Sequence, residues 1–277
     1  MSAIWTLARL TVKEALRRRT FVAAAIITLL FLFIWWQTEH SPRYGAIAGE
    51  REAAFMQLGL GMMRFFTALI GIAMAAGAIS GEIERGTHYV ILARPLTRVQ
   101  VLLGKWLGIL IPCLLLYLFW SAIVIATARV GASGQLGAFA TAAAISFLYP
   151  LVFTTLTLCY STFAPPMLCN ALAMVSLVIG WSEGGMRGWG QALLGNGEGN
   201  HTVLFMADVA GHYAPIARIA RASATALGLE RYPMISMIMT GNFGEGLHAT
   251  PWDVWWPILH VALALIAAIL IFNARDV

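Results

Sequence analysis

Six apolar runs dominate this chain: Phe21–Trp36, Phe55–Ile79, Val101–Ala126, Ala138–Phe163, Met167–Trp181 and Trp252–Phe272. A helix crossing the hydrocarbon core of a bilayer needs about 20 consecutive, mostly apolar residues. The first and fifth runs are shorter than this and must borrow flanking residues. Only 11% of the residues are charged, whereas a soluble globular chain carries about 25%. So few charges cannot cover a globular surface, so lipid must solvate much of the chain. The sequence predicts a single all-α polytopic membrane domain spanning residues 1–277, with six transmembrane helices. The net charge of +5 is then no sign of nucleic acid, and what matters is where the cations lie relative to the spans.

Their placement is asymmetric. One set of short loops would hold Arg9, Lys13, Arg17, Arg18, Arg19, Arg85, Arg94, Arg98, Lys105 and Arg275. The short loops on the other side hold only Arg43, Arg51 and Arg129. Cytoplasmic loops carry the excess of Lys and Arg, which puts both termini in the cytoplasm and residues 182–251 outside. The arginines of that long segment, Arg187, Arg218, Arg221 and Arg231, weigh little, because long loops are translocated largely regardless of charge. Tryptophans at run ends (Trp35, Trp36, Trp181, Trp252, Trp255 and Trp256) read as anchors at the headgroup level.

Two segments outside the runs have helical patterns. On a helix over residues 3–19, Ile4, Trp5, Ala8, Val12, Ala15 and Leu16 share one face, and Arg9, Lys13 and Arg17 line the other. This predicts an amphipathic helix lying in the membrane interface. Residues 202–228, TVLFMADVAGHYAPIARIARASATALG, predict one or two short helices broken at Pro215 that lie on or dip into the outer leaflet, or else form a small cap. Cys113, Cys159 and Cys169 all fall within apolar runs and are expected to be free packing residues. No cleavable leader is expected, because the first run lacks a small-residue cleavage site.

The chain contains no G-x-x-x-x-G-K-[ST], H-E-x-x-H, C-x-x-C or G-x-S-x-G. A phosphate-cradling loop or a familiar hydrolytic centre is therefore not expected. No carboxylate lies in the middle of a run, which argues against an ion-coupled carrier with a mid-membrane acid. Arg64 does enter a span, about ten residues into the second run. An intramembrane arginine is costly and normally faces protein, water or a partner. It would either line a translocation path and meet an anionic substrate, or satisfy itself by snorkelling, by backbone carbonyls or by Glu50 or Glu52. Met234, Met237 and Met239 have a spacing that soft copper could use, though flexible apolar packing is the commoner role of such methionines. Asn200-His201-Thr202 matches a glycosylation triplet by pattern only. His201, Asp208 and His212 offer a thin alternative, an intramembrane enzyme.

The most informative stretch lies between runs two and three: SGEIERGTHYVILARPLTR, residues 80–98. The second helix can continue through Ser80–Arg85, Gly86 is a natural stop, and Thr87–Leu92 can form a short transverse helix. Pro95 then turns the chain. Thr97 with Gln100 has capping-box spacing at the start of the third span.

This stretch resembles the permease subunits of ABC-2 type transporters (the type V fold), whose members carry a pattern close to "GE…E.GT…LL..P..R….GK" after the second span. Here it reads Gly81-Glu82, Glu84, Gly86-Thr87, Ile91-Leu92, Pro95, Arg98 and Gly104-Lys105. The amphipathic first helix, the six spans and the closing FNARDV are also similar to that family. The stretch Thr87-His88-Tyr89-Val90 departs from the family pattern, in which Leu and Glu are common, and the outer segment is longer than in a minimal member. The resemblance implies a cytoplasmic coupling helix that rests on a separate ATP-binding subunit. The coupling set would be Gly81, Glu82, Glu84, Arg85, Gly86, Thr87, His88, Tyr89, Arg94, Pro95 and Arg98. It further implies that the chain itself is no enzyme and has no cofactor of its own, with ATP and Mg held by two copies of the partner. A second permease copy would complete the path in a bacterial inner membrane. The cargo would be hydrophobic, lipid-linked, peptide or drug-like and would move outward. A non-transporting, mechanotransmission subunit would carry the same pattern.

Overall fold

In a computed structural model of the chain, the residues described are 5, 6, 8–10, 12, 20–39, 48–84, 97–128, 130, 134–192, 201–228 and 249–274. All regular structure among them is helical. The helices are α1 (Thr20–Glu39), α2 (Ala48–Ala75), α3 (Ser80–Glu84), α4 (Arg98–Thr127), α5 (Leu136–Ser146), α6 (Leu148–Ser161), α7 (Pro166–Ala192), α8 (His201–Tyr213), α9 (Ile216–Ala226) and α10 (Trp252–Ala274).

Among the described residues five stretches are long and apolar enough to cross a bilayer: Phe55–Glu84, Arg98–Thr127, Leu136–Ser161, Pro166–Arg187 and Trp252–Ala274. The expected first span, Phe21–Trp36, falls inside α1, a helix of 20 residues whose apolar stretch Thr28–Gln37 is among the described residues. Near the amino terminus, Trp5, Thr6, Ala8, Arg9, Leu10 and Val12 are helical, with Ala8 buried and Arg9 exposed. Trp5, expected on the apolar face, is half exposed.

Contacts fix how the helices run. Along α2 and α4, Gly59 meets Val124, Gly71 meets Cys113 and Ala78 meets Lys105, so these two are antiparallel. Arg64 with Tyr149, Gly71 with Thr154 and Ser80 with Ser161 set α2 parallel to the α5–α6 span. The approach is close because α2 offers glycines. A Cβ on Gly59 would come within 2.6 Å of Val124 Cγ2, and one on Gly71 would collide with Thr154 Oγ1. Without a hydrophobic drive between helices in lipid, small residues that let backbones approach supply much of the packing. The core lies here: Met56, Leu60, Leu102, Ile109, Cys113 and Leu158 are all fully buried. The three cysteines are free and buried.

The fourth expected run, Ala138–Phe163, is not one unbroken helix. It divides at Phe147 into α5 and α6. Pro150 explains the division, since it has no N–H for the carbonyl of Ser146 and its ring crowds that carbonyl. Bonds from Phe147 N to Ala143 O (3.0 Å) and from Leu151 N to Phe147 O (3.2 Å) carry the chain across the kink.

The segment after the fifth run is largely helical. α7 continues to Ala192, and α8 folds back along it, with Leu204 over Gly190, Gly211 over Glu183, and Ala214 and Ile216 over Gly180. Chain direction then changes around Pro215, where the sequence placed a break, and α9 packs between α5, α7 and α10. The α8–α9 hairpin thus re-enters beside the spans. Tyr213, at its tip, hydrogen-bonds Ser176 (2.8 Å) ten residues into α7. The hairpin therefore packs against α7, α5 and α10 instead of standing apart from the bundle. The exposed side of α8 carries Phe205, Met206 and Val209, an apolar face suited to lipid.

Candidate functional site

The lower part of α2 holds the first candidate site. α2 stops at Ala75, and the helix resumes only at Ser80, as α3. The sequence suggested that the second helix could run on through Ser80–Arg85; instead it is interrupted at residues 76–79. In a continuous helix the Glu82 N–H would bond to Ala78 O, but here it donates to Ile79 O at 3.1 Å. The carbonyl of Ala78 is taken instead by the ammonium of Lys105, which reaches across from α4. The same ammonium pairs with Glu82 Oε1 at 2.5 Å. From α6, Ser161 Oγ accepts from Ile79 N (3.1 Å) and Ser80 N (3.2 Å), and Ser80 Oγ donates to Ala76 O (3.0 Å). The break is therefore held by side chains of two other spans, which satisfy the backbone groups it frees.

Of the sequence-derived coupling set, Gly81 and Glu82 are half buried beside this break and Glu84 is exposed. Arg98 also reaches α10. Its guanidinium donates to the last carbonyls of α10, Phe272 O (3.0 Å) and Asn273 O (3.3 Å), and lies 6.0 Å from the Phe272 ring centre. A cation there complements the negative end of the helix. Arg85, Gly86, Thr87, His88, Tyr89, Arg94 and Pro95, and with them the expected transverse helix, lie outside the described residues. Thr97 and Gln100 form the expected capping box. Sequence reasoning missed the pairing of Lys105, a residue of the Gly104-Lys105 match, with Glu82. It also missed Ser161, which had no local signal at all.

The second candidate site surrounds Arg64. This residue is only 8% exposed and does not snorkel outward. Its guanidinium lies 6.0 Å from the centre of the Tyr149 ring, and its Nη1 has no hydrogen-bond partner among the described residues. Glu50 and Glu52 lie twelve or more residues away on the same helix, roughly 18 Å along its axis. Arg64 lines a cavity of about 430 Å³ between α2, α6, α7 and α9. Gln57, two turns along the same face of α2, also lines it, and neither amide atom of this buried side chain has a partner. The remaining wall is apolar or glycine: Phe65 stacks on Trp181 at 5.2 Å between centroids, and Ile216 closes the α9 side. Among the described residues no carboxylate lines the cavity.

At the end where α8 and α9 meet the spans, charges are paired. Arg187 binds Glu183 (3.2 Å) and Asp208 (2.7 Å), and Asp253 takes Arg221 (3.0 Å) and Arg218 (3.5 Å). Both Glu183 and Asp253 sit buried near the ends of spans, where hydropathy gave no warning of ion pairs. Of the trio proposed for an enzyme, Asp208 is engaged by Arg187, and His212 Nδ1 bonds the backbone oxygen of Asp208 and rests edge-on against Trp256. Among the described residues no group of three His, Cys, Asp or Glu could hold a metal. Met234, Met237 and Met239 lie outside those residues.

This architecture, a glycine-packed helical membrane bundle with a re-entrant hairpin before its last span, defines a multi-pass membrane protein. A family profile described as "ABC-2 family transporter protein" matches residues 5–276, and the chain belongs to that family. It is 32% identical over 172 residues to the "Probable ABC transporter permease protein NosY" of Pseudomonas aeruginosa, covering 58% of this chain and 60% of that relative. It is 33% identical over 113 residues to a protein of the same name from Stutzerimonas stutzeri, covering 39% of each. The matches thus span less than two thirds of these relatives.

Proposed function

We propose that the chain is the permease subunit of an ATP-driven exporter of the inner membrane. Its termini face the cytoplasm and its motor is a separate ATP-binding subunit that supplies ATP and Mg. Two permeases and two ATPases form the working unit, and the path runs between the permeases. The family assignment and the relatives named as permeases support this reading. The single observation that carries the coupling is the interrupted lower end of α2. A motor pushing on residues 80–98 would act on α3, which Lys105 ties to α4 and Ser161 ties to α6. A push there reaches three spans at once. The Arg64 cavity is the stretch of the path that lies inside one subunit.

The experiment uses the full chain co-expressed with a candidate ABC-type ATP-binding subunit. Charge reversal at Glu82 and Glu84 together, or deletion of residues 87–92, should reduce co-purification of the ATPase and remove substrate-stimulated hydrolysis. Both quantities unchanged would overturn the assignment of 80–98 as the coupling segment.

A further inference from the structure

Among the described residues every buried charge at the α8–α9 end has an opposite partner, and so has Lys105 at the break. Arg64 is the exception among these buried cations. It sits at depth in a span, more than nine-tenths buried, with Nη1 unpartnered and only an aromatic face nearby. An arginine stays charged in a protein, and leaving such a group without a counter-charge is costly. Gln57 adds unpartnered amide donors to the same wall. The neighbouring Glu183 cannot serve, because it is turned onto Arg187 under Gly211. The cavity is large enough for a drug-sized ligand. Beyond Arg64, Gln57 and the Tyr149 hydroxyl its walls are apolar, which suits a ligand with one charged end and a hydrophobic body.

We propose that this cavity binds an amphiphilic monoanion. Its carboxylate, sulfonate or phosphate-ester head is held by Arg64 and the Gln57 amide, and its apolar body lies against the Phe65–Trp181 stack. The inference rests on reading the cavity as part of the transport path and names the substrate class for that path. Ile216 and Ala217 of α9 form one wall, so the re-entrant hairpin limits how long a body can enter.

The test uses the purified full chain in nanodiscs of zwitterionic lipid, read by the fluorescence of Trp181 (wild type against Trp181→Phe) and by thermal midpoint. Three probes are compared: decanoate, its neutral methyl ester, and inorganic phosphate. Decanoate should perturb Trp181 and raise the midpoint, with the ester and phosphate silent at the same concentration. Arg64→Gln should weaken decanoate at least about tenfold, the effect of losing a hydrogen bond to a charged group. Gln57→Glu, which supplies an internal anion two turns from Arg64, should raise the midpoint without ligand and erase the decanoate response. Equal response to the ester, saturation by phosphate, or decanoate binding unchanged in both variants would overturn the proposal. ATPase co-purification is measured on the same preparations. Decanoate binding without a bound ATPase sinks the permease reading alone, and a bound ATPase without decanoate binding sinks this inference alone.

Discussion

Removing the Lys105 ammonium while keeping its stem, Lys105→Met, tests whether the break in α2 is held from α4. The side chain of Lys105 is 8% exposed and that of Glu82 is 29% exposed. Removing one partner of a fully buried ion pair costs about 3–5 kcal/mol, and exposed pairs are worth roughly 0–1 kcal/mol. The Glu82 side opens toward water, so an intermediate loss of about 2 kcal/mol is expected for Lys105→Met. Part of it is the Ala78 carbonyl left without its donor, at about 1 kcal/mol. Glu82→Gln should cost less, about 1 kcal/mol, because the ammonium keeps that carbonyl. The decisive quantity is the coupling in a double-mutant cycle, measured by reversible unfolding in mixed detergent micelles. Lys105→Met with Glu82→Gln should be less damaging than the sum of the two by about 1 kcal/mol. Additivity within about 0.3–0.5 kcal/mol, as for residues that do not interact, would refute the reasoning. A normal coupling energy together with wild-type ATPase stimulation in the double variant would show that the pair stabilises the break without transmitting force.

Ser161→Ala removes the acceptor of two backbone N–H groups and should lower stability by about 1–3 kcal/mol, read by the same unfolding assay, and should increase hydrogen exchange at Ile79 and Ser80. Arg98→Ala uncovers the final carbonyls of α10 and should cost about 1–2 kcal/mol, with faster proteolysis of the carboxyl-terminal turn. A Cβ at Gly180 would meet Ile216 Cδ1 at 2.6 Å, so Gly180→Val should push α9 outward, costing about 1–3 kcal/mol, and should alter the Trp181 emission. Asp253→Asn leaves Arg221 facing a neutral partner and should loosen α9 from α10, seen as a lower thermal midpoint.

Much of the site was legible only in fragments. Thr97 and Gln100 announced their capping box because both halves lie within one turn, and Pro215 marked the hairpin because a proline acts on its immediate neighbours. The same locality shows why other features were missed. Pro150 sits inside an apolar run, and composition alone does not say that the run kinks there. Glu82 and Lys105 both stood in the recognised pattern, yet their pairing joins two spans and depends on the rotation of each about its axis. The contact of the Arg98 guanidinium with α10 likewise joins residues 174 apart in the chain.

The sequence by itself determined that this chain lives in lipid, that it crosses as helices, where most crossings begin and end, and to which family it belongs. Those properties follow from solvation and from contacts between near neighbours, both of which are written locally. Tertiary structure alone decided that α8 lies back along α7, that Lys105 stands in for a missing backbone donor, and that Arg64 faces a cavity with no carboxylate in its wall among the described residues. In a membrane every helix face is apolar enough to meet lipid, so hydropathy cannot say which face meets another helix. Glycines at the close approaches and the demand that each buried polar group find a partner settle that choice, and neither can be evaluated until the helices are packed.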